Sequence, residues 1–296
     1  MTLSLVENKV GLSKTHGHHG ELIQGIFTTN KGLCRGLVTL PFKEAWSVAR
    51  FEPNSSSEFT INDITKYKAL KALELTAHYV SQENQKGYLE INSNIKVGKG
   101  IGSSTADVLS TIMAYIDCYN ITLSNKEIAQ IAVKAEKASD SLMYPGQCIL
   151  FAQRDGEVLR YFPGQLPFME VIGVDLPMNT IETLNLTLPE YSESDIISFQ
   201  ILVKLLGKGI EQQDTSLIGI ASTKSAEINQ KFFPKPIFNE LLRLSKIIGA
   251  EGIQVAHSGT VIGFIFNPLK PKHSNNISLL NSELKRLSLK PYKFTI

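Results

Sequence analysis

Gly98-Lys99-Gly100-Ile101-Gly102-Ser103-Ser104-Thr105 sets three alternating glycines before two serines and a threonine, and an amphipathic helical pattern begins at once. The first N–H groups of a helix have no partner within it, and the aligned peptide dipoles place partial positive charge there. Glycines allow the tight turn that brings such N–H groups up to an anion. The segment Val97 to Thr105 is therefore a candidate phosphate site. Ser103 and Ser104 add hydroxyls for phosphate or a magnesium ion, and Lys99 adds charge. Three familiar loops do not fit. A Walker loop ends in G-K-[ST], but Gly98-Lys99 is followed by Gly100. A dinucleotide fingerprint spaces its glycines as G-x-G-x-x-G, and here Gly102 comes one residue early. A nucleophile elbow, G-x-S-x-G, would need a second glycine where Ala106 stands.

Two further segments carry chemistry. His16-Gly17-His18-His19-Gly20-Glu21-Leu22-Ile23-Gln24-Gly25 gathers polar groups and glycines at a strand start. Its histidines invite a zinc reading, but no cysteine or H-E-x-x-H pattern accompanies them. The preferred reading is a substrate-binding turn with Glu21 and Gln24 as polar contacts; a capped strand entrance is the plain alternative. Glu136-Lys137-Ala138-Ser139-Asp140-Ser141 places two carboxylates four residues apart at a helix end. They share one side if the helix runs that far. One could coordinate magnesium while the other accepts a proton; a solvated helix end is the alternative.

These residues need elements to hold them. Strands are predicted at 21–28, 36–40, 44–51 and 87–91, and a helix over 63–82 from the spacing of Leu70, Leu73, Ala77 and Val80. The helix after the glycine turn runs over 103–119, with Ala106, Leu109, Ile112, Met113 and Ile116 on one face. Ser124 and Glu127 form a capping-box pattern for a helix over 124–138. A hairpin over 147–162 turns at Asp155-Gly156, and the Pro/Gly stretch 162–167 is a candidate junction. Beyond it the pattern predicts a strand at 169–175 and helices over 195–204, 216–229 and 236–248. Strands at 252–256 and 260–266, a helix over 278–287 and an end strand follow.

Composition narrows the class. The 296 residues are 43% hydrophobic and 20% charged, as in packed globular chains. Lys and Arg total 30 against 28 acidic residues, a balance that argues against nucleic acid or an anionic membrane as partner. Cys34, Cys118 and Cys148 are scattered, so neither a disulfide framework nor a thiolate metal site is expected. No secretory leader is read in residues 1–11 and no run approaches a membrane span, so a cytoplasmic protein is expected.

Together the three segments resemble the GHMP kinase superfamily (galacto-, homoserine, mevalonate and phosphomevalonate kinases). Its motif P-x-x-x-G-L-G-S-S-A-A has a counterpart in residues 96–106, although Asn94-Ile95-Lys96 replaces the usual proline. The resemblance is closest to the L-threonine kinases of cobalamin biosynthesis. Their G-E-L-I-Q-G element matches Gly20 to Gly25, G-K-G-x-x-S-S-T-A-D matches Gly98 to Asp107, and A-H-S-G-[ST]-V-x-G matches Ala256 to Gly263. Thr15 to His19 departs from that branch, and the gap from Glu136 to Asp140 is shorter than in several others.

The resemblance implies an α+β, two-part fold. A half spanning residues 1–165 would hold a left-handed β-α-β unit and the nucleotide loop; a ferredoxin-like half, 166–296, would close the site. It implies ATP, Mg2+ and an amino acid with a side-chain hydroxyl, most readily L-threonine, in a monomer or homodimer. Carried over, Val97, Gly98, Lys99, Gly100, Ile101, Gly102, Ser103, Ser104 and Thr105 would hold the nucleotide. Ser104 and Glu136 would bind the metal and Asp140 would be the catalytic base. His19, Gly20, Glu21 and Gln24, with His257, Ser258 and Gly259 opposite, would meet the acceptor. Homoserine, serine or another amino alcohol would suit the same fold. A nucleotide-binding regulator without catalysis should lack the serine pair or the aspartate, and both are present. An RNA-binding module conflicts with the near-neutral charge.

Overall fold

The computed structural model describes residues 9–83, 85–178 and 189–296. Residues 1–8, where no leader is read, lie outside them. Among the described residues ten strands form one sheet. Its main path runs from a long hairpin, β1 (Gly11–Thr29) and β2 (Gly32–Pro53), outward on both sides. The sequence reading found only short pieces of these strands, because the glycines and histidines of β1 interrupt its apolar alternation. Register shifts at His16/Gly17, His18/Glu21 and Glu21/Ile23 mark the interruption as bulges.

On one side, β2 pairs with β4 (Gly87–Ser93), and β3 (Thr60–Ile61) runs parallel to β4. Helix α1 (Tyr67–Tyr79) connects β3 to β4, giving the β-α-β unit. The helix predicted over 63–82 is shorter than expected. Asp63 caps a single 3-10 turn at Ile64–Lys66 before α1 begins. Helix α2 (Ser103–Cys118) is buried on nearly every side, packed between the β1–β2 face, α1 and α3 (Asn125–Glu136). Ser124 and Glu127 make the expected capping box. The hairpin of β5 (Ile149–Ala152) and β6 (Glu157–Tyr161) leans on β2 through Leu37 and Phe151.

The second half begins with β7 (Glu170–Asp175), followed by α4 (Glu193–Glu211), α5 (Thr215–Asn229) and α6 (Phe238–Ile248). Then come β8 (Gly252–Val255), β9 (Val261–Phe266), α7 (His273–Arg286) and β10 (Tyr292–Thr295). The order β10-β7-β9-β8 is antiparallel throughout and is the ferredoxin-like arrangement. Helix α4 starts at a second capping box, Ser192 with Asp195, and runs past its sequence forecast of 195–204 to Glu211. The two halves meet where Glu21 of β1 pairs with Val255 of β8. One core crosses the 162–167 stretch: Leu22, Ile23, Phe27, Val38 and Leu40 pack with Phe199, Leu206, Ile218 and Ile265. Among the described residues no helix is long and apolar enough to cross a membrane.

Candidate active site

A cleft of about 650 Å³ opens between the halves, at the N-terminus of α2. The glycine loop forms one wall. Gly98, Gly100 and Gly102 all adopt φ between 74° and 81°, the left-handed region that disfavours a side chain. Gly102 ends the loop as the helix cap, and among the described residues no side chain satisfies the first N–H groups of α2. The positive end of the helix therefore faces the cleft unpaired, a site for anionic oxygens.

The loop is braced from behind. A Cβ on Gly100 would lie 2.7 Å from the Cα of Gly259, and the Thr260 N–H donates to the Lys99 carbonyl at 3.0 Å. Lys99 pairs with Asp175 at 2.8 Å. The turn carrying His257 and Gly259 is held by Lys235, whose buried ammonium donates to both their carbonyls. Burial lowers that lysine to about 8, against the opposing charge of Glu21.

Behind the helix start sits a polar cluster. Ser104 Oγ donates to Glu136 Oε2 at 2.6 Å, and Thr105 Oγ1 lies 2.9 Å from Glu136 Oε1 and 3.3 Å from Asp140 Oδ2. The sequence reading carried α3 to Ala138, but the helix ends at Glu136. Lys137 takes a left-handed conformation and returns its N–H to Val133. That turn, rather than helical spacing, brings Asp140 beside Glu136. Burial raises Glu136 to about 7; the Ser104 hydrogen bond opposes this and the Asp140 charge adds to it. Asp140 is shifted down. Burial works the other way, but the charge and hydrogen bond of His18 and the Thr105 hydroxyl outweigh it.

The strand bulges sort the histidines. His18 Nε2 lies 3.0 Å from Asp140 Oδ2, and its Nδ1 lies 3.1 Å from the Gly20 carbonyl. His19, its neighbour on the strand, turns into the interior, not the cleft. Its Nδ1 meets Gln254 at 2.7 Å, its Nε2 meets the Tyr292 hydroxyl at 2.7 Å, and burial drops it to about 4. His16 is exposed and bonds the Lys43 carbonyl. The three histidines thus serve three different places, and no shared zinc site forms among them. His18, Glu21 and Asp140 do bring one ligand atom each within 4.8 Å. With both His18 nitrogens already facing acceptors, these groups have the chemistry of an ion-paired network.

Of the other expected contacts, Glu21, Gln24 and Ser258 line the cleft. Gly20 packs against β8, where a Cβ would meet the Ala256 N at 2.6 Å. His257 is buried with Nδ1 donating to Glu21 Oε2 at 2.8 Å. Gly259 meets the glycine loop. His18 and Lys235 are the partners that sequence reasoning missed. The H-G-H-H run was the signal for the first; nothing local marked the second.

The fold and the cleft define a class, a small-molecule kinase built on a glycine loop at a helix start. Residues 66–143 match the family described as GHMP kinases N terminal domain. An L-threonine kinase of Citrobacter freundii is 27% identical over 252 residues, covering 84% of this chain and 83% of that one. An L-threonine kinase of Salmonella typhimurium is 26% identical over 265 residues, covering 88% and 84%. The solved homoserine kinase of Cytophaga hutchinsonii superposes with a TM-score of 0.69 at 14% identity, covering 100% of this chain and 96% of that one. Mevalonate kinase from methicillin-resistant Staphylococcus aureus gives 0.64 at 16%, covering 97% and 98%. The chain is similar to the GHMP kinases, with residues 66–143 matching their N-terminal domain, and is a phosphotransferase.

Proposed function

We propose that this protein moves the γ-phosphoryl group of ATP to the side-chain hydroxyl of a small amino acid, with L-threonine as the acceptor. The observation that carries the reading is the convergence of Ser104, Glu136 and Asp140 on the open N-terminus of α2. Threonine is favoured over homoserine because both curated relatives are L-threonine kinases matched over most of their length. The structural likeness to a homoserine kinase is at 14% identity and speaks to fold.

In this reading the loop from Val97 to Thr105 cradles the phosphates through its N–H groups. Ser104 and Glu136 offer hard oxygen donors, the set magnesium takes, and Glu136 is a buried carboxylate lacking a cation among the described residues. The ion, when bound, supplies positive charge that offsets charge on the phosphate oxygens. Asp140 accepts the proton of the acceptor hydroxyl, and its low pKa keeps it ionised for the purpose. Glu21, Gln24 and Ser258, which line the cleft, are the proposed acceptor contacts. Residues 1–165 supply the nucleotide wall and 166–296 the opposite one.

The test is ADP release with Mg-ATP across L-threonine, D-threonine, L-serine, L-homoserine and a blank, with product mass confirmed. Turnover on L-threonine above the others is expected. Preference for another acceptor would move the substrate and keep the chemistry. Absence of acceptor-dependent release in ATP-binding protein would remove the kinase reading.

A further inference from the structure

His18 is 2% exposed, and the role given to the glycine loop and Asp140 leaves it without a task. Its surroundings are specific. Both ring nitrogens face oxygen acceptors: the Gly20 carbonyl at 3.1 Å and Asp140 Oδ2 at 3.0 Å. A backbone carbonyl can only accept, and so can Asp140 when ionised, the state its lowered pKa favours; each nitrogen then carries a proton and the ring is an imidazolium. The backbone of the same residue holds the phosphate loop, its N–H donating to the Ile101 carbonyl at 3.3 Å. The ring edge also closes on Gly102, where a Cβ would lie 2.6 Å from His18 Cδ2. One residue thus touches both the nucleotide loop and the aspartate. Every hydrogen bond to the Asp140 carboxylate among the described residues, from His18 and from Thr105, goes to Oδ2. Oδ1 is left free in a side chain that is 23% exposed on the cleft.

We propose that His18 is a positioning residue for phosphoryl transfer: its imidazolium anchors Asp140 through Oδ2 and presents an ionised Oδ1 to the acceptor hydroxyl. The proposal rests on the assignment of Asp140 as base. The imidazolium does two things to that base. It keeps the carboxylate charged in a half-buried site, where burial favours the protonated form. It also fixes the carboxylate against rotation, so the free oxygen keeps one direction. The surrounding charges agree. Burial alone would lower His18, but the Asp140 charge and hydrogen bond, the Glu21 charge and the Gly20 carbonyl raise it to about 9. Glu136 stands beyond Asp140, His19 is neutral, and Lys235 and His257 act on the cluster through Glu21.

The sign follows. His18 holds its proton at neutral pH and loses it as pH rises through about 9, so the ion pair is lost on the alkaline side. Turnover on the best acceptor is to be compared in wild type, His18→Gln and His18→Lys. The glutamine keeps a donor without charge; the lysine keeps the charge. Expected for His18→Gln is a fall in kcat on the order of 10- to 100-fold, with ATP binding nearly unchanged. The wild-type alkaline limb near pH 9 should be lost, and His18→Lys should recover part of kcat. A limb near pH 8 that survives in His18→Gln belongs to Lys235. Nitrogen-15 spectra of the wild-type ring should show both nitrogens protonated at pH 7.5, which reads the charge state even if a variant fails to fold. Wild-type kcat and pH profile in His18→Gln, or a bare ring nitrogen at pH 7.5, would overturn the proposal while leaving the kinase reading intact. Wild-type protein with no acceptor-dependent turnover would overturn both.

Discussion

Gly100 and Gly259 stand face to face, 159 residues apart in sequence, with no room for a side chain on either: a Cβ on Gly259 would lie 2.4 Å from the Gly100 Cα and 2.1 Å from the Lys99 carbonyl oxygen. The second half of the chain thus sets the height of the phosphate loop. Gly259→Ala must push the two apart. A shift of about 1 Å can cost on the order of 100-fold in rate. The expected outcome is a KM for ATP raised at least ~10-fold and a lower kcat, with the circular dichroism spectrum unchanged. An unaltered KM would show that the loop does not need this brace.

Asp140→Asn keeps the shape of the side chain and removes its ability to take a proton. Turnover should fall at least ~100-fold, the range that general-base catalysis supplies. Binding of a non-hydrolysable ATP analogue, measured by calorimetry, should stay close to that of wild type. Near-normal turnover would remove Asp140 from the role of base.

Ser104→Ala deletes the hydroxyl that sits 2.6 Å from Glu136. If the pair binds magnesium, the metal concentration for half-maximal activity should rise several-fold at saturating ATP, and excess metal should restore part of the rate. A magnesium titration that overlays wild type would exclude this hydroxyl as a ligand.

Glu136 gives a pH signature in protein stripped of divalent ions. Its carboxyl is raised from an ordinary 4.5 to about 7 in the folded chain. Between those values the folded protein retains a proton that the unfolded chain releases, so stability falls as pH rises across the window and levels off above it. Thermal midpoints taken with a chelator from pH 5 to 8 should show this decline, and Glu136→Gln should flatten it. Magnesium should recover the lost stability more at pH 8 than at pH 6, because a proton and a cation compete for one carboxylate.

The readable parts of the site were those whose physics is local. A glycine loop opening an amphipathic helix announces itself within ten residues, and Ser124 and Glu127 cap α3 as their spacing predicts. The ferredoxin-like half followed from a motif resemblance and is seen in the order β10-β7-β9-β8. What stayed hidden depends on distant partners. His18 and Asp140 are 122 positions apart, and no periodicity links them. Strand alternation says that His18 and His19 face opposite ways, but the bulges decide which one meets the cleft. His19 was therefore expected at the substrate and lies instead against Gln254 and Tyr292. Lys235, between two prolines, looks like any surface lysine until its carbonyl partners are known.

The shared core between β1, β2, α4 and α5 bears on synthesis by the ribosome. Leu22, Ile23, Phe27, Val38 and Leu40 are covered in part by Phe199 and Leu206 of α4 and Ile218 of α5, and Phe199 sits so close to β1 that a Cβ on Gly25 would meet its ring at 2.5 Å. Each such side chain contributes about 1.5–3 kcal/mol when covered, and together they rival the whole net stability of a typical domain. A nascent chain that has reached only the first half would carry this apolar face open to water. Vectorial folding, in which an N-terminal unit finishes before the next appears, is therefore disfavoured by this shared core. The protein's earliest strands gain their full cover only once translation has passed Asn229, the last residue of α5.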